Sequence, residues 1–168
     1  MRELDRLLTS HGPSLHALLT RLTLRPDVAE DLMQDLFLQL ARSNGFDQAT
    51  DRVAYAFRCA INLAMAWRRQ RRSRPAIAAI VVEPPDTHKT TLGGIIDAEQ
   101  LNRTLDALDL LSEESRQIVV LRFIQDQPYE TIARQIGRTA HTTRALCHKA
   151  IRRLRAVLNE KESEARSA

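Results

Sequence analysis

Aromatic residues make up only 4% of this 168-residue chain, and glycine occurs only 5 times. So few glycines argue against an all-β fold, which needs many tight turns. The shortage of aromatics leaves aliphatic side chains to fill the interior, and a hydrophobic content of 43% suffices for packed cores. Helix is therefore the default. Cysteine is also scarce: Cys59 and Cys147 lie far apart in helical segments and read as free thiols of a reducing compartment rather than as a disulfide. No apolar run is long enough to span a bilayer, and the start Met1-Arg-Glu-Leu-Asp lacks the apolar stretch of a signal peptide. We expect a soluble, cytoplasmic protein with no membrane partner. A glycine-rich phosphate loop is missing. Glu30, Asp31 and Asp35 have no histidine or nucleophile pattern beside them, and His141, Cys147 and His148 lack a fourth metal ligand. Catalytic residues, a bound metal and a cofactor are accordingly not expected.

What is present is charge, unevenly distributed. The net charge of +4 favours a polyanionic partner. Glu30, Asp31 and Asp35 make an early helix acidic, whereas Arg68 to Arg74 and Arg144 to Arg155 are basic. Leu4, Leu7 and Leu8 share a helical face that His11-Gly12-Pro13 interrupts. From Pro13, Leu15, Leu18, Leu19 and Leu22 give a second helix stopped near Arg25-Pro26. Pro26 opens a third helix, which runs to about Ser43 and is closed by Asn44-Gly45 in left-handed geometry. Phe46 to Asp51 reads as a loop. A fourth helix spans about Arg52 to Ser73, with Tyr55, Ala56, Cys59, Ala60, Leu63 and Trp67 facing inward; these helices make a small bundle.

Pro75 to Ile96 contains Pro75, Pro84, Pro85, Gly93 and Gly94 and is the natural flexible linker. Its apolar run, Ala76 to Val82, is expected to dock on a domain and keep the free protein compact. Beyond it, Leu101, Leu105 and Leu108 mark a helix, and Ser112 caps another whose first turn holds Glu113 and Glu114. Pro128 precedes a short helix ending at Gly137. The last helix begins after Thr139 and runs to about Asn159, leaving Glu160 to Ala168 as a frayed, charged tail.

A helix-turn-helix needs a small residue where its helices cross and glycine at the tight turn. Ala133 and Gly137 supply these, with Ile132 and Ile136 as anchors and Cys147, Ile151 and Leu154 pinning the helix that follows. An ordinary helical hairpin is the competing explanation, and the basic helix weighs against it. That helix would turn His141, Thr142, Arg144, Ala145, His148, Lys149 and Arg152 outward, the first of them toward base edges and the later ones toward phosphates. A merely solvated basic face is the alternative. Arg68, Arg69, Arg71 and Arg72 beside Trp67 combine cations with an aromatic face, as in proteins that hold unstacked bases. Trp67 would serve equally as a core residue, and part of the arginine cluster as a helix cap.

Taken together, these segments resemble the extracytoplasmic-function type of alternative RNA polymerase sigma factor. Val28-Ala-Glu-Asp-Leu-Met-Gln-Asp-Leu-Phe-Leu-Gln-Leu is similar to the family's core-polymerase-binding helix, usually Ala-Glu-Asp-Leu-x-Gln-Glu-x-Phe. Tyr55-Ala-Phe-Arg-Cys-Ala-Ile-Asn-Leu-Ala is similar to a helix carrying Ala-Arg-Asn-Leu-Ala and then arginines. Leu111 to Arg155 resembles the family's second domain. The resemblance implies that Asp31, Leu32, Gln34, Asp35 and Phe37 dock on the polymerase clamp. It implies that the loop Asn44 to Asp51 and the helix Arg52 to Arg74, with Asn62, Trp67, Arg68, Arg69, Arg71 and Arg72, hold the melted minus-ten element. Arg138, His141, Thr142, Arg144, His148, Lys149 and Arg152 would read the minus-thirty-five element. Ile61 and Ala66 depart from the family's usual arginine and aspartate, and Pro128 from its serine. His141, Thr143 and Leu146 stand where glycine, valine and arginine are frequent, so no promoter sequence carries over.

The expectation is an all-α protein of two small helical domains: 1–74 for polymerase and the minus-ten element, a linker 75–96, 97–159 for the minus-thirty-five element, and a tail 160–168. Its partners would be core RNA polymerase and promoter DNA, with room for an anti-sigma protein that the sequence does not name. A stand-alone helix-turn-helix regulator is the nearest rival, and a helical protein adaptor a more distant one.

Overall fold

The structure, a computed structural model, describes residues 2–74 and 98–167. The expected linker, its apolar run and the docking expected of it lie outside them. Among the described residues every regular element is helical, and the helices fall into two compact units.

The first unit begins with α1, Arg2–Thr23, in which Leu4, Leu7, Leu15, Leu18, Leu19 and Leu22 are buried. The expected break at His11-Gly12-Pro13 is absent, and one helix runs through Pro13. A proline inside a helix costs ~3 kcal/mol, but burying a leucine contributes ~1.5–3 kcal/mol. Positions 4, 7, 11, 15, 18 and 22 keep helical phase across the proline, so an unbroken helix buries leucines on both sides of it. The exposed Pro13 ring faces away from that stripe. The chain leaves α1 at Leu24, whose φ is 58°. Pro26 then opens α2, Pro26–Arg42, which buries Ala29, Leu32, Leu36 and Leu40. Arg25 donates to both oxygens of Asp27, at 2.9 and 2.6 Å, which holds that carboxyl below its ordinary range.

The expected Asn44-Gly45 stop and the loop after it take another form. Ser43 is the extended residue, and Asn44–Gln48 is a short helix α3, with Ser43 Oγ accepting from Phe46 N. A Cβ at position 45 would come within 2.7 Å of the Tyr55 hydroxyl oxygen, so a larger residue there must displace a ring whose hydroxyl bonds Ser43 Oγ at 2.8 Å. Asp51 caps α4, Arg52–Ser73. Helices α2 and α4 both pack on α1 and on each other.

The second unit contains α5, Ala98–Ala107, a 3-10 turn at Leu108–Leu110, α6, Glu113–Phe123, α7, Tyr129–Ile136, and α8, Ala140–Ser167. Ser112 caps α6 through Ser115 N as expected. The Arg116 guanidinium donates to the carbonyl oxygens of Leu108 at 3.1 Å and Leu111 at 3.1 Å and pairs with Asp109 at 3.7 Å, fastening the α5–α6 corner. The tail also departs from expectation, because α8 continues past Asn159 to Ser167. Glu, Lys, Ala and Arg are good helix formers, and no proline or glycine follows Thr139 to end the helix.

Candidate nucleic-acid and polymerase interfaces

The turn between α7 and α8 fixes how α8 is presented. Gly137 sits at φ 69°, and its N–H donates to Ala133 O; a Cβ there would meet nothing within 4 Å. The glycine is needed for its left-handed backbone and not for space. Ala133 is the buried small residue at the contact. Thr139 Oγ1 accepts from Thr142 N at 3.1 Å and so caps α8.

Along α8 the buried residues are Thr143, Cys147, Ala150 and Leu154, a helical stripe facing α6 and α7. Burial raises the Cys147 thiol above its usual range, and the neighbouring Tyr129 phenol is likewise raised, chiefly by burial. On the other side His141, Thr142, Arg144, Ala145, His148, Lys149 and Arg152 are all exposed. Arg138, also exposed, is engaged within its unit: its Nε donates to Glu114 Oε1 at 2.8 Å. Arg144 lies 5.1 Å from the Tyr129 ring centroid and 4.0 Å from Glu130 Oε1. Thr143, one of the residues departing from the family pattern, is buried within this helix and donates to Thr139 O at 2.8 Å.

The arginine-rich end of α4 does not act as one cluster. Arg69, Arg71, Arg72 and Arg74 are exposed. Arg68 is only 2% exposed, and its guanidinium donates to Leu22 O at 2.9 Å. That carbonyl belongs to the last turn of α1, whose final acceptors have no partner within the helix. The placement corrects the expectation that Arg68 stands with its neighbours on a phosphate-facing surface. The signal was available: positions 61, 64, 65 and 68 form one helical face, and Ile61, Ala64 and Met65 are buried on it. Asn62 and Trp67 are half-buried, and the Arg71 guanidinium lies 5.7 Å from the Trp67 ring centroid.

On α2, Asp31, Gln34 and Asp35 are exposed, Phe37 is half-buried, and Leu32 faces the core. Leu38 was not singled out from sequence, yet it is 46% exposed. It continues the stripe 31, 34, 35, 38, so the outer face of α2 is acidic with an apolar end. Among the described residues no group of three or more metal-ligating side chains comes together. No helix of those residues is long and apolar enough to cross a membrane.

Comparison with known proteins divides the chain into two matched regions, one in each unit. Residues 7–74 match the family described as Sigma-70 region 2, and residues 107–156 match Sigma-70, region 4. The chain is 30% identical over 153 residues to the RNA polymerase sigma-E factor of Streptomyces coelicolor, covering 88% of this chain and 81% of that protein. It is 29% identical over 161 residues to the RNA polymerase sigma factor CarQ of Myxococcus xanthus, covering 95% and 91% of the two. Its fold is similar to that of the sigma factor RpoE of Bartonella quintana, solved with the anti-sigma factor NepR, at a TM-score of 0.52 and 24% identity over 95% of this chain and 98% of that one. It is also similar to CnrH, solved with the cytosolic domain of CnrY, at a TM-score of 0.51 and 21% identity over 95% and 89%.

Proposed function

The chain belongs to the extracytoplasmic-function RNA polymerase sigma factors, and from that premise we propose how its surfaces share the work of an alternative sigma factor. Such a protein binds core RNA polymerase and promoter DNA and directs promoter-specific initiation. The reading assigns polymerase binding and the minus-ten element to residues 1–74, and the minus-thirty-five element to 97–159. Asp31, Gln34 and Asp35, with Phe37 and the exposed Leu38, form the surface that core polymerase takes up. Leu32 supports it from inside. Asn62, Trp67, Arg69, Arg71 and Arg72 follow the opened minus-ten strand, and Arg68 holds the helix that carries them. His141, Thr142, Arg144, His148, Lys149 and Arg152 face the minus-thirty-five element, with Arg138 at the entrance to their helix.

In this account the protein has no chemistry of its own, works in the cytoplasm, and is held in reserve by an anti-sigma partner. A stand-alone regulator would leave the region 2 match without a role.

One observation carries the proposal: the acidic face of α2, with carboxylates at helical spacing, ends in the exposed apolar side chain of Leu38. Reversing both charges, Asp31→Arg with Asp35→Arg, should cut co-purification with core polymerase on the order of tenfold or more, because like charges would face the partner. Circular dichroism should stay helical. Undiminished co-purification would overturn the assignment of α2.

A further inference from the structure

Arg144 projects from the first turns of α8 but does not hang free. Its guanidinium carbon lies 5.1 Å from the Tyr129 ring centroid, and its NH2 nitrogen is 4.0 Å from Glu130 Oε1. Tyr129 is itself held. It is the first residue of α7, half-buried, and the Arg122 guanidinium lies 5.0 Å from its centroid. Arg122 in turn donates to Gln127 O at 3.1 Å, which ties it to the α6–α7 turn. Three helices thus converge on one ring, and the ring carries a cation belonging to the outward face of α8.

We infer that Tyr129 is a positioning residue for promoter reading: its ring, assisted by Glu130, aims the Arg144 guanidinium before DNA arrives. The inference rests on the assignment of Arg144 to the minus-thirty-five element. Bidentate contact with a base edge needs the guanidinium plane in one orientation. A long side chain free in solvent must lose its rotamer freedom to adopt that orientation. A side chain already lying against an aromatic face has lost much of it, and the contact accordingly gains selectivity as well as strength. Glu130 Oε1, 4.0 Å away and exposed, adds only a weak electrostatic bias on the same side.

The test is a promoter-fragment selection with holoenzyme assembled from core polymerase and the full chain. Arg144→Ala should relax preference at one base pair. Tyr129→Leu should relax preference at that same base pair, about two- to five-fold, the factor corresponding to an exposed cation–π contact. Tyr129→Phe keeps the ring and should retain the wild-type profile, and Tyr129→Leu combined with Arg144→Ala should be no worse than Arg144→Ala alone. Weakening of all sequences evenly by Tyr129→Leu, with the profile unchanged, would make Tyr129 merely structural and overturn the inference. Relaxation by Tyr129→Phe as large as by Tyr129→Leu would assign the effect to the hydroxyl, with the same consequence. An unaltered profile for Arg144→Ala would instead defeat the assignment of Arg144 itself. Should Tyr129→Leu not fold, proton resonances decide: the Arg144 side chain should be shifted upfield by the ring in wild type and in Tyr129→Phe, and ordinary shifts would overturn the inference.

Discussion

Helices α4 and α8 are both rich in arginine, and they use it differently. In α8 the buried positions are 143, 147, 150 and 154, and the arginines at 144, 152, 153 and 155 all fall beside that stripe, so every one is exposed. In α4 the buried stripe passes through 61, 64, 65 and then 68, so one arginine of the cluster lies on it and is drawn inside. A charge there requires a partner, and the end of α1 supplies a carbonyl for it. The same residue type is therefore structural or surface-facing according to its phase against the apolar repeat, and a charge count along a helix does not distinguish the two.

The sharpest way to break this comparison is to remove Arg68. Arg68→Ala leaves Leu22 O without that donor and should destabilise the first unit by ~1–3 kcal/mol; replacing the exposed Arg74 by alanine should change it by less than ~0.5 kcal/mol. Trp67, the single tryptophan, lies in α4, so urea unfolding followed by its fluorescence reports on that unit. Equal stability of the two variants would deny Arg68 its inward role. In the second unit, Gly137→Ala must place a Cβ at φ 69° and should cost ~1–2 kcal/mol, read from the urea midpoint by circular dichroism. Next in size, Arg71→Ala and Lys149→Ala should each lower the slope of log affinity against log salt on promoter DNA, by ~0.7 for a single-strand contact and ~0.9 for a duplex contact. Arg68→Ala should leave that slope unchanged when compared under folding conditions.

The smallest effect concerns pH. Burial raises Cys147 from the ordinary thiol value of 9.0, so the folded state favours the protonated thiol. That contribution is complete below the unfolded thiol pKa and is lost as pH rises through the higher folded one. The second unit should therefore lose stability above about pH 9, a loss that Cys147→Ala reduces and that the raised Tyr129 phenol continues at higher pH. Identical thermal melts of wild type and Cys147→Ala across that range would refute it.

Much of the fold was legible because leucine stripes at helical spacing mark the packing faces of α1 and α2, and mixed aliphatic stripes such as Ile118 to Leu121 and Ile132 with Ala133 mark those of the second unit. Two of the misjudged points share one cause, a local signal outweighed by tertiary contact, and the third is a misweighed helix propensity. Pro13 signals a stop, but the leucines on both sides of it need a single helix. Gly45 signals a left-handed cap, but it lies inside α3, close against the Tyr55 hydroxyl. The charged composition of Glu160 to Ala168 signals fraying, yet nothing in it breaks α8. At the candidate site, the outward residues of α8 could be read from spacing alone. The neighbours that hold them could not: the Tyr129 ring beneath Arg144 and the Glu114 carboxylate on Arg138 come from other helices, and only the packed unit brings them within reach.

The length of α8 has a mechanical consequence. From Asn159 onward its described side chains are exposed, and a helix rises about 1.5 Å per residue, so this stretch extends the axis of α8 by roughly 13 Å. A rod continuous with the reading end acts as a pointer. On the proposed DNA-binding role, a tilt of α8 is enlarged at the far tip, where a dye on Ser167 would sweep through a longer arc than any atom in its first turns. The chain thus carries its own goniometer arm, with the scale at one end and the specimen at the other.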